Sequence, residues 1–166
     1  MSKYNSKKVT IDGITFDSKA EGNYYLHLKE LKTFGTIKDF QCQPEYVLQP
    51  KYEKNGKNVL PIKYKADFLI YYHNGNTEVI DIKGMETTDF KLKKKIFEYK
   101  FPEEIVLICE APKYLAPQEW IELGELKELR KLRKKVTDKY GKKKSPEKEA
   151  ELQKITDKYK QKKGEK

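Results

Sequence analysis

Asp67, Asp81 and Lys83 are the residues whose types and spacing could do chemistry together. The first lies in YKADFLIYY and the other two in TEVIDIKG, with His73-Asn74-Gly75-Asn76 between the runs. Both runs are rich in Tyr, Ile, Val and Phe, so they predict two antiparallel strands joined by a tight turn. An acid on each strand can then converge on one ion, and a lysine beside the second acid can reach a phosphate held by that ion. This is the order that a metal-dependent phosphodiesterase needs.

The register decides whether the acids converge, because a slip of one residue turns every side chain to the opposite face. A two-residue Asn74-Gly75 turn would oppose Asp67 to Ile82 and separate the carboxylates. A three-residue loop, His73-Asn74-Gly75, with Gly75 left-handed, sets Asp67 opposite Asp81 and is the expected register. Alternation then gives Thr77, Val79, Asp81 and Lys83 one face of the second strand, and Glu78, Ile80 and Ile82 the other. Ile82 can anchor the strand and lend its main-chain carbonyl as a further oxygen ligand. Magnesium, with manganese substituting, suits oxygen ligands of this kind.

Acid-x-Lys alone carries little weight in a chain that is 37% charged, and it recurs at Asp17-Lys19, Glu30-Lys32, Asp89-Lys91, Glu98-Lys100 and Glu125-Lys127. Only the Asp81 copy follows an apolar strand, precedes a glycine and has another acid on the preceding strand. Upstream, DSKAEGNYYLHLKELKTFG predicts a helix over 18–34, with Leu26, Leu28, Leu31 and Phe34 among its apolar positions and Gly35 as its stop. Glu21 falls in its first turn. It either closes a capping box with Ser18 or supplies a third carboxylate to the metal site.

These residues resemble the restriction-endonuclease-like superfamily with its (P)D…(D/E)xK pattern. Within it the chain is similar to an uncharacterised bacteriophage domain family related to phage Holliday junction resolvases and to the nuclease subunit of a cut-and-paste transposase. The resemblance covers roughly residues 2–123. It assigns Asp67 as the first acid, Asp81 as the second, Lys83 as the lysine and Glu21 as the acid of the first helix. The Gln43-Pro44 pair matches one that often enters the strand before the first acid. Ala66 stands where a proline is common, and Asp81 where glutamate is commoner.

The resemblance implies an α/β fold, a mixed β-sheet flanked by helices, and a magnesium-dependent endodeoxyribonuclease in which Glu21, Asp67, Asp81 and Ile82 hold the metal. It favours branched DNA such as Holliday junctions, a homodimer that makes paired cuts, and a role beside phage recombination or replication proteins. The alternative is a non-catalytic or partner-dependent nucleic-acid-binding protein.

Downstream, ETTDFKLKKKIFEYKFP predicts a second helix, opened by a Thr or Asp cap and stopped before Pro102. It combines apolar Phe90, Leu92, Ile96 and Phe97 with Lys91, Lys93, Lys94 and Lys95. In proteins of the resembled type a cation from this helix often helps bind phosphate, which makes Lys91, Lys94 and Lys95 candidates. EIVLIC, residues 104–109, predicts a short buried strand.

The net charge of +10 favours a polyanionic partner. Residues 125–166 carry +9 of it and the remainder +1. We therefore expect a nuclease domain over 1–124 and a basic tail over 125–166. Leu126, Leu129, Leu132, Val136 and Tyr140, then Leu152, Ile155 and Tyr159, have helical spacing, with Gly141 as a stop and Ser145-Pro146-Glu147 as a start. The tail is expected to be either two basic helices or a partly disordered solubilising segment. Arg130 and Arg133 in it, and Lys3, Lys7 and Lys8 beside Tyr4 in the N-terminal arm, are candidate DNA contacts.

There is no apolar run of membrane-spanning length and no secretory signal, so a cytoplasmic location is expected, that of the host cell for a phage protein. Cys42 and Cys109 are isolated from each other and from His27 and His73, a poor pattern for zinc. No glycine-rich nucleotide loop is present.

Overall fold

The computed structural model describes residues 7–164, so Lys3 and Tyr4 lie outside the described residues. The first described element is a hairpin of β1 (Val9–Ile11) and β2 (Ile14–Phe16), closed by Asp12 and Gly13, both at positive φ. Helix α1 (Lys19–Thr33) follows, with Ser18 as its cap and Gly35 in the left-handed region just past its end. A Cβ on Gly22 would come within 2.7 Å of Val9 Cγ1, so glycine lets the first turn of α1 lie directly against the hairpin. The buried face of α1 is Glu21, Gly22, Tyr24, Tyr25 and Leu28. Leu26 and Phe34, expected among the apolar positions, are 44% and 80% exposed, because the tyrosines cover the apolar stripe instead.

Next come β3 (Asp39–Cys42), β4 (Glu45–Gln49), β5 (Tyr52–Lys54), β6 (Lys57–Val59), β7 (Ile62–Lys65), β8 (Phe68–Tyr71) and β9 (Thr77–Ile82). Helix α2 (Thr88–Lys100), capped by Thr87 as its sequence predicts, leads to β10 (Ile105–Glu110). A 3-10 turn (Lys113–Leu115), β11 (Trp120–Glu122) and helices α3 (Leu123–Tyr140) and α4 (Pro146–Gly164) are the remaining described elements. The expected α/β class is observed. A mixed five-stranded sheet runs in the order β11-β10-β9-β8-β3, beside separate pairs β1-β2, β4-β7 and β5-β6.

The chain forms two compact units that divide between Leu107 and Ile108, inside β10 and upstream of the basic segment. In the first unit α1 covers one side of β8, where Phe68 meets Phe16 and Tyr24 at ring distances of 6.1 and 5.5 Å. Helix α2 packs on a second cluster, in which Leu48, Tyr64, Ala66, Val79, Phe90, Phe97 and Ile105 are buried. Tyr46 and Tyr64 set their rings 4.8 and 5.6 Å from Phe97. Alternating residues of β8 and β9 feed these clusters in turn, so the side chains of one strand face are fixed by packing on both sides.

In the second unit α3 buries Leu123, Leu126, Leu129 and Val136, and α4 runs back along it. The end of α3 and the start of α4 fall where the sequence predicts: Gly141 has φ +66, and Lys148 N donates to Ser145 Oγ at 3.2 Å, while α3 begins at Leu123, just ahead of the expected tail. The segment is therefore helical rather than disordered over its described length. Few apolar residues were available to hold it, and polar contacts supply much of the seam. Arg133 lies 3.9 Å over the ring of Tyr114 and donates to Leu152 O and Thr156 Oγ1, while Tyr159 Oη donates to Glu125 at 3.0 Å.

Candidate metal and phosphate site

The β8-β9 hairpin has the register that brings the acids together. Tyr71 pairs with Thr77, Leu69 with Val79 and Phe68 with Ile80, and extending this ladder by one residue sets Asp67 across from Asp81. The loop responsible is His73-Asn74-Gly75: Tyr72 N donates to Asn76 O, Gly75 N to Tyr72 O, and Gly75 has φ +87. Only glycine takes that angle without strain, so one residue type fixes the register and hence the site.

Asp81 is the most enclosed charged group among the described residues, 2% exposed. A buried carboxylate must be paired and hydrogen-bonded. Tyr64 Oη donates to its Oδ2 at 2.8 Å and Lys83 Nζ to its Oδ1 at 2.5 Å. Lys83 also stands 4.3 Å from the centre of the Phe90 ring, whose face attracts the cation. The lysine is thus held between an acid on its own strand and an aromatic ring of α2, with a quarter of its side chain still open to solvent.

Asp67 is held from both of its neighbours. Ile82 N donates to its Oδ2 at 2.6 Å, which turns the carboxylate toward β9. Its main-chain carbonyl accepts from Gln43 N at 2.8 Å, and Ala66 N donates to Pro44 O at 3.0 Å. The Gln43-Pro44 pair, with Gln43 at φ +55, therefore positions the first acid through the backbone. Burial pushes the Asp67 carboxyl up to about 7, and the negative charges of Asp81 and Glu21 add to it, against the pull of the Ile82 N–H and Lys83. Two acids packed this closely with one lysine leave an excess of negative charge.

Glu21 takes the capping role: its oxygens accept from Asp17 N at 2.9 Å and Ser18 Oγ at 2.7 Å, and its own amide donates to Ser18 Oγ at 3.1 Å. It is only 9% exposed, and its charge is felt at Asp67, so it also stands at the edge of the acidic pair. Among the described residues no group of three or more His, Cys, Asp and Glu is arranged to form a metal cage. The donor set fits magnesium in the manner that does not need one, with one or two carboxylates and the remaining positions left to water and substrate. Asp67 and Asp81 would supply the carboxylates.

The candidate phosphate contacts separate. Lys91 and Lys95 are exposed on α2. Lys94 Nζ donates to Ile105 O at 2.8 Å and lies 3.4 Å from Glu98, which ties α2 to β10. Lys7 is exposed, and Lys8 pairs with Asp17 at 2.9 Å on the surface. Arg130 is exposed, whereas Arg133 is taken up in the α3-α4 seam. Cys42 and Cys109 are free, the latter buried in β10. His27 packs its ring 5.8 Å from Tyr24.

Two residues that matter to the site were not singled out by the sequence. Tyr64 carries the hydroxyl that holds Asp81, and Phe90 carries the ring under Lys83. Tyr64 stands three residues before Asp67 on the strand leading into it, which was the available signal. Phe90 had no comparable one.

No curated protein and no solved structure matches the chain. A family model does match residues 1–116, a span that includes Glu21, Asp67, Asp81 and Lys83 and ends before α3 and α4. The chain belongs to that family, described as protein of unknown function (DUF1064).

Proposed function

We propose that the protein is a magnesium-dependent DNA endonuclease of the restriction-endonuclease-like kind, hydrolysing phosphodiester bonds in branched DNA such as four-way junctions. One observation carries the reading: Asp67 and Asp81 oppose each other across two strands while Lys83 is fixed on Asp81. The resemblance of Glu21, Asp67, Asp81 and Lys83 to the (P)D…(D/E)xK pattern supports it.

In this reading Asp67, Asp81 and the Ile82 carbonyl would hold magnesium, which when bound supplies Lewis acidity and an acidified water. Tyr64 holds the Asp81 carboxylate and the Ile82 N–H that of Asp67, while Gln43 fixes the Asp67 backbone. Lys83 presents its ammonium beside the acids, where it binds the attacked phosphate, orients the attacking water and stabilises the charge that grows on the phosphate oxygens. Glu21 closes the acidic edge through its cap and is a water-mediated ligand in this scheme. Branched DNA, a homodimeric enzyme and a partner from phage recombination or replication follow from the resemblance.

The test is cleavage of labelled four-way junction, flap and linear duplex with magnesium or EDTA, using wild type beside Asp81→Ala and Lys83→Ala. Magnesium-dependent cutting lost in both variants, with the junction cut best, is the expected result. Equal cutting of all three substrates would leave a general nuclease. Binding without cutting would favour the non-catalytic or partner-dependent alternative.

A further inference from the structure

The β5-β6 hairpin belongs to no other sheet, and nine of its residues from Lys51 to Leu60 are exposed, Val59 being half-buried. A free two-stranded hairpin is marginal in water, so its persistence needs local causes. Three are present. The turn Asn55-Gly56 has both φ values positive, 53° and 68°, as the turn best matched to strand twist requires. Pro50 and Pro61 bound the two strands and restrict Gln49 and Leu60 to extended conformations. The arm also continues the β4-β7 ribbon, whose last strand runs through Tyr64 and Lys65 into Asp67.

The pairing of this arm is electrostatically unfavourable as it stands. Lys54 lies directly opposite Lys57, with Tyr52 and Val59 next along the same face, while Glu53 and Asn58 share the other face. Like charges placed across from each other destabilise a strand pair. Neither ammonium has a carboxylate partner among the described residues. Lysines on exposed edges do discourage strand addition, and that accounts for their presence. It does not account for setting two of them opposite each other at the tip, where one glutamate would have relieved the repulsion.

We infer that the β5-β6 hairpin is a groove-entering arm that binds duplex DNA, with Lys54 and Lys57 on phosphates flanking the groove and the Tyr52 face against it. The inference rests on the nuclease reading for its substrate. A two-stranded ribbon fits the major groove, and from Tyr52 to the tip the arm rises about 10 Å at ~3.4 Å per residue, enough for a groove about 8.5 Å deep. The chain from Lys57 to Asp67 spans at most about 35 Å, so the arm meets DNA no more than about ten base pairs from the scissile phosphate.

The experiment is fluorescence anisotropy of the full chain with short duplex DNA, a four-way junction and an RNA duplex, in EDTA, from about 50 to 200 mM salt. Wild type is compared with Lys54→Ala/Lys57→Ala and with Lys29→Ala, a surface lysine paired to Asp12. For the double variant we expect the slope of log affinity against log salt to fall by about 1.8, and DNA binding to weaken about tenfold, with Lys29→Ala unchanged. Matching circular dichroism spectra establish that both variants are folded. An unchanged slope and affinity in the double variant, with wild type binding DNA, overturns the arm and leaves the nuclease reading standing. Wild type that binds DNA through the two lysines in EDTA, yet leaves it uncut when magnesium is supplied, upholds the arm and favours the non-catalytic or partner-dependent alternative. Tighter, equally lysine-dependent binding to the RNA duplex overturns the choice of DNA, because the major groove of A-form RNA is too narrow to admit the arm.

Discussion

Tyr64 and Asp81 are 17 residues apart in sequence, yet the tyrosine hydroxyl donates to the buried carboxylate at 2.8 Å. The tyrosine ring packs on Phe90 and Phe97, so the donor is immobilised by the same cluster that supports Lys83. Burial and the neighbouring Asp81 charge push the Tyr64 phenol up, which keeps it a donor throughout the working range. Tyr64→Phe preserves the packing and deletes only this bond. Outer hydrogen bonds to metal ligands are worth about 10- to 100-fold in metal affinity. On the proposed nuclease reading, the half-saturating magnesium concentration for cleavage should rise about tenfold in Tyr64→Phe, with much of the rate recovered at saturation. A rate lost equally at all magnesium concentrations would show instead that the hydroxyl acts on the reaction itself.

In the proposed nuclease Lys83 separates binding from chemistry. Lys83→Met keeps the aliphatic stem against Phe90 and removes the ammonium, which leaves Asp81 with Tyr64 as its partner. Losing a preorganised group that acts on developing charge costs about 100- to 1,000-fold in rate. Single-turnover cleavage should fall by at least that, while magnesium binding measured by calorimetry is retained or strengthened. Cleavage within threefold of wild type would remove Lys83 from the mechanism.

The acidic pair has a consequence for stability in the absence of metal. Asp67 has its folded carboxyl raised to about 7 against an ordinary value of 3.8, so between those values the folded state holds more proton than the unfolded one. Stability from this group is therefore present at low pH and is lost as pH rises through the window to about 7. Asp67→Asn can still accept from Ile82 N and carries no charge. In EDTA the urea midpoint of wild type should fall from pH 5 to pH 8 more than that of Asp67→Asn, and the variant should be the more stable of the two at pH 8. Parallel curves would show that burial and the neighbouring Asp81 charge do not raise the Asp67 carboxyl.

Magnesium should reverse that penalty. A cation bound only by the folded state stabilises by mass action, about 2.7 kcal/mol at a hundred times its dissociation constant. At pH 8 added magnesium should raise the melting temperature of wild type by several degrees and leave Asp67→Asn and Asp81→Asn nearly unmoved. Equal shifts in all three would place the ion elsewhere.

The site was legible because its geometry depends on local sequence. Period-two alternation in β9 and one glycine in the His73-Gly75 loop were enough to oppose Asp67 to Asp81. The caps were legible for the same reason, with Ser18, Thr87, Ser145 and Gly141 each standing at the predicted helix end. What escaped depends on contacts between distant segments. That Tyr24 and Tyr25 displace Leu26 and Phe34 from the buried side of α1 follows from the shape of the β1-β2 hairpin and of Phe68, which no spacing in α1 records. Glu21 had two local readings, and the structure shows it in the cap, from which its charge still raises the Asp67 carboxyl.

Arg133 and Arg130, three residues apart on α3, had the same standing in sequence and differ in the fold. Arg133 donates to Thr156 Oγ1 at 2.8 Å and Leu152 O at 3.0 Å and covers the Tyr114 ring, so its charge is occupied in holding α4 to α3. Removing a charged hydrogen-bonding group of this kind costs on the order of 2 kcal/mol, and an exposed residue on the same helix within about 0.5. Arg133→Ala should lower the urea midpoint clearly, whereas Arg130→Ala should leave it in place. DNA binding should respond in the opposite sense, with Arg130→Ala reducing the salt dependence by about one phosphate's worth and Arg133→Ala leaving it unchanged under conditions where it is folded. An unaltered midpoint in Arg133→Ala together with weaker DNA binding would return that guanidinium to the phosphate contacts.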